Sequence, residues 1–172
     1  MSLSLDVGCA GEPRGDVNCD LAVYDVLGHR GLLEVDRNLD VKKIPNFVIC
    51  DAACLPFKSG VFKTVYCLQV IEHTVNPFAV LRELVRVSCY RVVVEVPNRF
   101  GEMLACSYSR KMKRWVHAHH KHRFSRGWFG VAANRLGCRV VKSYVVDFYS
   151  FPHLYFTVFR WSYHWGVVFE KL

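Results

Sequence analysis

The chain has 172 residues, 52% hydrophobic and 22% charged, a length and composition that fit one globular domain over 1–172 and exclude a disordered or fibrous chain. No apolar run approaches the ~20 residues of a membrane-spanning helix. The net charge of +8 is unevenly placed: residues 1–102 carry 11 basic and 13 acidic side chains, residues 103–146 carry ten basic and none acidic, and residues 147–172 carry two of each. Residues 1–6 lack the basic-then-apolar pattern of a signal peptide, so a cytoplasmic location is expected. The eight cysteines form no CxxC pair and read as small hydrophobes in apolar surroundings.

Leu3 to Gly8 reads as a short buried strand that runs into a tight loop over Gly8–Gly15. Val17–Asp20 is a second strand ending in an acid. Residues 21–46 are mixed, with Gly28, Gly31 and Pro45 breaking any long element. Phe47–Asp51 is a third strand and Thr64–Gln69 a fourth. Asn76 can cap a helix that has Pro77 at its first position and places Phe78, Leu81, Leu84 and Val85 on one face. Arg91–Val96 is a fifth strand, closed by Pro97-Asn98. Ser125 can cap a second helix, with Phe129, Ala132, Ala133 and Leu136 facing inward and Gly137 as its stop. Arg139–Val146 and Gly166–Glu170 read as the last two strands.

Strands alternating with helices predict a mostly parallel sheet, and continuous apolar runs such as Phe47–Cys50 suit strands buried on both faces. Ligands in such sheets lie beyond the carboxyl ends of the strands. There the chain delivers Asp6 with a glycine loop, then Asp20, then Asp51-Ala52, then Gln69 to His73. Successive acids at strand ends suit a nucleoside with a polar tail: one carboxylate can accept both ribose hydroxyls and another an adenine amino group.

Leu5-Asp6-Val7-Gly8-Cys9-Ala10-Gly11 resembles the first motif of class I S-adenosylmethionine-dependent methyltransferases. Asp51 to Phe57, Gln69-Val70-Ile71-Glu72-His73 and Leu81 to Val87 are similar, in order, to later motifs of that type 11-like family. The resemblance implies a three-layer Rossmann-like fold with six to seven strands, helices on both faces and an antiparallel last strand. It implies S-adenosyl-L-methionine as cofactor. Asp6, Gly8, Cys9 and Gly11 would line its methionine part, Asp20 would hold the ribose, Asp51 and Ala52 would meet the adenine, and Gln69 and Val70 would sit beside the sulfonium. Ala10 and Glu12 stand where the family has glycine, and no helix is evident between the first two strands. An alternative register makes Leu32–Asp36 the second strand and Asp36 the ribose ligand.

The expected reaction is in-line methyl transfer to an acceptor, with a small molecule as the first expectation. His73 is the candidate general base, because histidine titrates near neutrality, with His119 and His122 in reserve. Glu72 could instead be structural, paired to an arginine. The segment Arg110–Arg126 holds Lys111, Lys113, Arg114, Lys121 and four histidines within 117–122, with Trp115 and Phe124 interleaved. It could line the acceptor pocket, or dock an RNA or protein substrate through phosphates and stacked bases. No acid or cysteine joins the histidines at ligand spacing, so no metal site is expected. The Asn-Pro-Pro-aromatic motif of amino-group nucleic-acid methyltransferases is absent after the fourth strand. The aromatic stretch Phe148–Trp165 is expected to cover the sheet or to form a homodimer face. A non-catalytic member that binds cofactor or partner is the third alternative.

Overall fold

A computed structural model describes residues 2–10, 13–21, 43–99, 103, 106–107, 110, 113–114, 119–146 and 164–172. Within them, seven strands form one sheet: β1 (Ser4–Val7), β2 (Val17–Asp20), β3 (Phe47–Ile49), β4 (Phe62–Leu68), β5 (Ser88–Pro97), β6 (Cys138–Val146) and β7 (His164–Lys171), ordered β3-β2-β1-β4-β5-β7-β6. Strands β1 to β5 pair in parallel, and β7 runs antiparallel to both β5 and β6. This is the mostly parallel sheet that the alternating pattern predicts, with the antiparallel last strand that the resemblance implies.

Two helices lie against one face. α1 (Pro77–Val87) starts where Asn76 Oδ1 accepts from Ala79 N–H at 3.1 Å, with Pro77 where no intrahelical donor is needed. Val80, Leu81, Leu84, Val85 and Val87 are its buried stripe, while Phe78 packs half-buried at its edge. α2 (Arg126–Arg135) is capped by Ser125 Oγ, which accepts from Trp128 N–H at 3.2 Å. Its Phe129 meets Trp165 edge-on, ring centres 5.1 Å apart, and lies 5.8 Å from Phe169. Burying such a side chain contributes about 1.5–3 kcal/mol. Under both helices run alternate strand residues: Leu5 and Val7, Val65 and Cys67, Val92, Val94 and Val96, Trp165, Val167 and Phe169.

One expectation changes, and one alternative is decided against by the strand seen beside β1. Phe47–Cys50 reads as a strand covered on both faces, yet among the described residues β3 pairs only with β2, at the sheet's edge, and Ile49 is 59% exposed. The second strand is Val17–Asp20, directly beside β1; residues 32–36 of the alternative register lie outside the described residues. The link between β1 and β2 spans residues 8–16, below the dozen or so of an ordinary parallel crossover, and shows no helix among its described residues. Polar side chains pin it instead. Asp16 Oδ2 accepts from Ser4 N–H at 2.8 Å, and Asn18 bonds both backbone groups of Gly15 and the Pro45 carbonyl.

Candidate functional site

The carboxyl ends of β3, β2, β1 and β4 lie side by side, and the loops that leave them form the candidate site. From β1 the chain turns through Gly8, at φ +76°, and the N–H groups of Gly8 and Cys9 both donate to Cys19 O, at 2.8 and 3.1 Å. Ala10 follows at φ +47°, a conformation that costs a non-glycine residue roughly 1–2 kcal/mol. Its N–H donates to Asp20 Oδ2 at 2.8 Å, a charge-assisted bond that offsets the cost. The loop therefore keeps a glycine-like turn with alanine in place. Asp20 Oδ1 accepts from Leu21 N–H at 2.7 Å. A carboxylate offers about four acceptor sites, so Asp20 retains capacity for ligand hydroxyls. Asp6, 2% exposed, takes the Arg14 N–H at 2.9 Å. Burial raises its pKa, opposed by that backbone bond and by the Arg14 charge.

From β3, Asp51 Oδ1 accepts from Ala53 N–H at 2.8 Å and its carbonyl accepts from Cys54 N–H at 2.9 Å, forming a tight turn with Ala52 half-buried at its corner. The following loop is fastened to α1. Arg86 donates through Nε and Nη2 to both carboxylate oxygens of Glu83, each at 2.8 Å, and reaches Leu55 O and Phe57 O at 2.9 and 2.8 Å. Glu83 Oε2 accepts from Leu55 N–H at 3.0 Å. The Arg86 guanidinium holds the Glu83 carboxyl below the usual range. Glu83 is thus paired to an arginine here.

From β4, Gln69 adopts φ +58°, its N–H donates to Glu95 O at 2.9 Å, and its side-chain Nε2 is buried with no hydrogen-bond partner among the described residues. Strain and an unmet donor together at a strand end are features that a bound ligand accounts for. Val70 leads into a 3₁₀ turn, Ile71–His73. His73 Nδ1 lies 3.1 Å from His119 O; a carbonyl only accepts, so Nδ1 carries a proton. The N–H groups of Lys121 and His122 donate to Glu72 O at 2.9 and 3.2 Å, which fastens segment 119–122 onto this turn.

Four thiols also gather near the strand ends, in Cys9, Cys19, Cys50 and Cys67. Cys19 donates to Cys50, which raises the Cys19 thiol and lowers that of Cys50, while burial raises Cys67.

The strand ends therefore bring together Asp6, Gly8, Cys9, Asp20, Gln69 and Val70, with Asp51 and Ala52 on the flank. Gly11 and Asp36 lie outside the described residues. His119 contributes its carbonyl and His122 its N–H to the contacts of the 71–73 turn. His120 was not singled out by spacing, yet its ring packs edge-on to His73 with centres 4.9 Å apart. The histidines lack an acid partner in sequence, but the fold supplies one: Glu72, His73 and His120 each place a ligand atom within 4.8 Å of the others. Of the basic segment, Arg110, Lys113, Arg114, Lys121 and Arg123 are exposed. Phe124 is buried against Trp128 and Phe129, so it is not available to stack on a base. Lys111, Trp115 and most of the aromatic stretch, 147–163, lie outside the described residues; Trp165, at its end, belongs to the core. No helix among the described residues is long and apolar enough to cross a membrane.

Residues 5–89 match the family described as a methyltransferase domain. No curated protein sequence matches the chain. An S-adenosylmethionine-dependent methyltransferase from Thermotoga maritima superposes over 100% of this chain and 83% of its own, with TM-score 0.66 and 14% identity. Magnesium protoporphyrin IX methyltransferase from Synechocystis, solved with bound S-adenosylhomocysteine, covers 99% of this chain and 74% of its own, with TM-score 0.59 and 15% identity. An S-adenosylmethionine-dependent methyltransferase from Mesorhizobium loti covers 99% and 91%, with TM-score 0.63 and 13% identity. At these identities the likeness is one of fold.

Proposed function

We infer that this chain, a member of the class I S-adenosylmethionine-dependent methyltransferase family, uses the ends of β1 to β4 to hold that cofactor and transfers its methyl group to a small-molecule acceptor. The observation that carries the reading is the convergence of Gly8, Asp20, Asp51 and Gln69 at four adjacent strand ends. Asp20 takes the ribose hydroxyls with its remaining lone pairs. Asp51 and Ala52 flank the adenine. Asp6 stiffens the loop whose Gly8, Cys9 and Gly11 line the methionine part. Gln69 and Val70 stand beside the reacting centre, where the Gln69 amide donates to the ligand. The bound cofactor supplies an electrophilic methyl group.

The chain's own part is then positioning: alignment of acceptor and methyl within ~3–3.5 Å accounts for a large share of the rate. Where the acceptor still holds its proton, His73 Nε2 is the atom placed to take it, since Nδ1 is committed to the His119 carbonyl. The eight free cysteines support a reducing, cytoplasmic location.

The exposed cations Arg110, Lys113, Arg114, Lys121 and Arg123 favour a second reading, docking of an RNA substrate through its phosphates. The buried Phe124 weighs against base stacking there.

Calorimetric titration with S-adenosylmethionine tests the first reading. Binding by the wild type that is lost in both Asp20→Ala and Asp51→Ala is the expected result. A folded wild type that binds no cofactor overturns it and leaves a non-catalytic role.

A further inference from the structure

We propose that Glu72, His73 and His120 form a site for one divalent transition-metal cation, best suited to zinc. The donor set is one carboxylate and two imidazoles, the borderline ligands that select zinc and its neighbours over magnesium or calcium. His73 Nε2 stands 3.8 Å from Glu72 Oε1, beyond a direct hydrogen bond of ~2.7–3.2 Å. Ligands at ~2.1 Å from a tetrahedral zinc lie ~3.4 Å apart, so the widest pair, within 4.8 Å, must close by roughly 1.4 Å.

Three further features suit a cation. The Glu72 and His73 side chains are 1% and 8% exposed, and a carboxylate so buried is stabilised by positive charge close by. His73 Nδ1–H donates to the His119 carbonyl, the kind of outer-shell bond that orients a ligating imidazole with its other nitrogen toward the metal. The two backbone bonds from Lys121 and His122 to Glu72 O deliver His120 to the turn from 47 residues away, on a segment already fastened in place.

Three protein ligands leave a fourth position for water or for an acceptor oxygen. That last role rests on the methyltransferase reading, because it is the neighbouring Gln69 and Val70 that would place the methyl group beside it. Nε2 cannot both ligate a metal and accept a proton, so the site and the general base are exclusive uses of one atom.

The test titrates chelator-treated, full-length protein with Co²⁺ and then with competing Zn²⁺, following visible absorption and, separately, S-adenosylmethionine binding by calorimetry. The expected result is one Co²⁺ per chain, with d–d bands, no thiolate charge-transfer band and displacement by Zn²⁺. His120→Ala should weaken metal affinity by more than ~100-fold, beyond the ~10–100-fold of an outer-shell change, while leaving cofactor affinity within twofold. Glu72→Gln should do the same to the metal; should it fail to fold, His120→Ala decides alone. Absence of stoichiometric Co²⁺, a thiolate band, or affinity indifferent to His120→Ala overturns the site. Loss of cofactor binding with metal binding intact overturns the methyltransferase reading instead.

Discussion

Gly8 and Val70 touch across the ends of β1 and β4, so closely that a Cβ at Gly8 would run into Val70 Cγ2. The two loops that carry most of the candidate cofactor contacts are thus packed against each other, and each fixes the other's height above the sheet. Gly8→Ala must force Val70 aside and hold a side chain at φ +76°. We expect a loss of about 3 kcal/mol from the left-handed backbone and the overpacking together, with a disproportionate loss of cofactor affinity. Thermal melts and calorimetry measure the two effects. Gly130→Ala is the control: nothing lies within 4 Å of its Cβ position inside α2, so stability should rise by up to about 1 kcal/mol. Equal effects at the two glycines would refute the packing argument.

Gln69 holds a strained backbone and a buried, unmet amide in the unliganded chain. Gln69→Gly relieves the strain and removes the donor. The expected outcome is opposite shifts: stability unchanged or raised by up to about 1 kcal/mol, and affinity for S-adenosylhomocysteine down about tenfold. Unchanged affinity would remove Gln69 from the site.

Arg86→Met severs the arginine's ties between α1 and the Asp51 loop, leaving the Leu55 N–H bond to Glu83, while keeping much of the stem. Losing four bonds from the guanidinium, two to a carboxylate and two to carbonyls, should cost about 3 kcal/mol. The cost is pH-dependent in a definite sense. The Glu83 carboxyl is lowered by Arg86, so its contribution is present above the unfolded glutamate value of ~4.3 and is lost as pH falls through the folded value. Urea unfolding of wild type and variant at pH 6 and pH 3 should show the difference shrinking at the lower pH. A constant difference would mean that the carbonyl bonds alone matter.

Tyr144 OH donates to Glu95 Oε1 at 2.8 Å, and burial followed by that carboxylate raises the phenol's pKa. Tyr144→Phe should cost about 1.5–3 kcal/mol, and spectrophotometric titration of the folded wild type should show one tyrosine fewer ionising in the ordinary range than after unfolding. An equal count in the two states would contradict the burial.

Much of this was readable from residue order. Asn76-Pro77 and Ser125 announce their helices because capping chemistry is local, and alternation in β1, β4 and β5 follows from which face meets α1 and α2. The strand-end acids were legible for the same reason, since each sits at a fixed offset from its own strand. What escaped was long-range. Nothing near Phe47 shows that, among the described residues, β3 pairs on one side only. The pairing of Glu72 with His120 depends on two backbone bonds between segments 49 and 50 residues apart. The left-handed Ala10 runs against local preference, and only its bond to Asp20 reveals why it is tolerated.

β7 sits in the interior of the sheet although it follows both of its neighbours in the chain. β6 has no direct partner until β7 arrives, and until then β5 is an unsatisfied edge carrying Val92, Val93 and Val94. Insertion of one strand between two waiting ones is therefore the late, non-local step of folding, and is expected to limit its rate. Before that step, the open edge of β5 is the surface most prone to pair with another copy, so dilution and low temperature during refolding should raise the yield of the native protein.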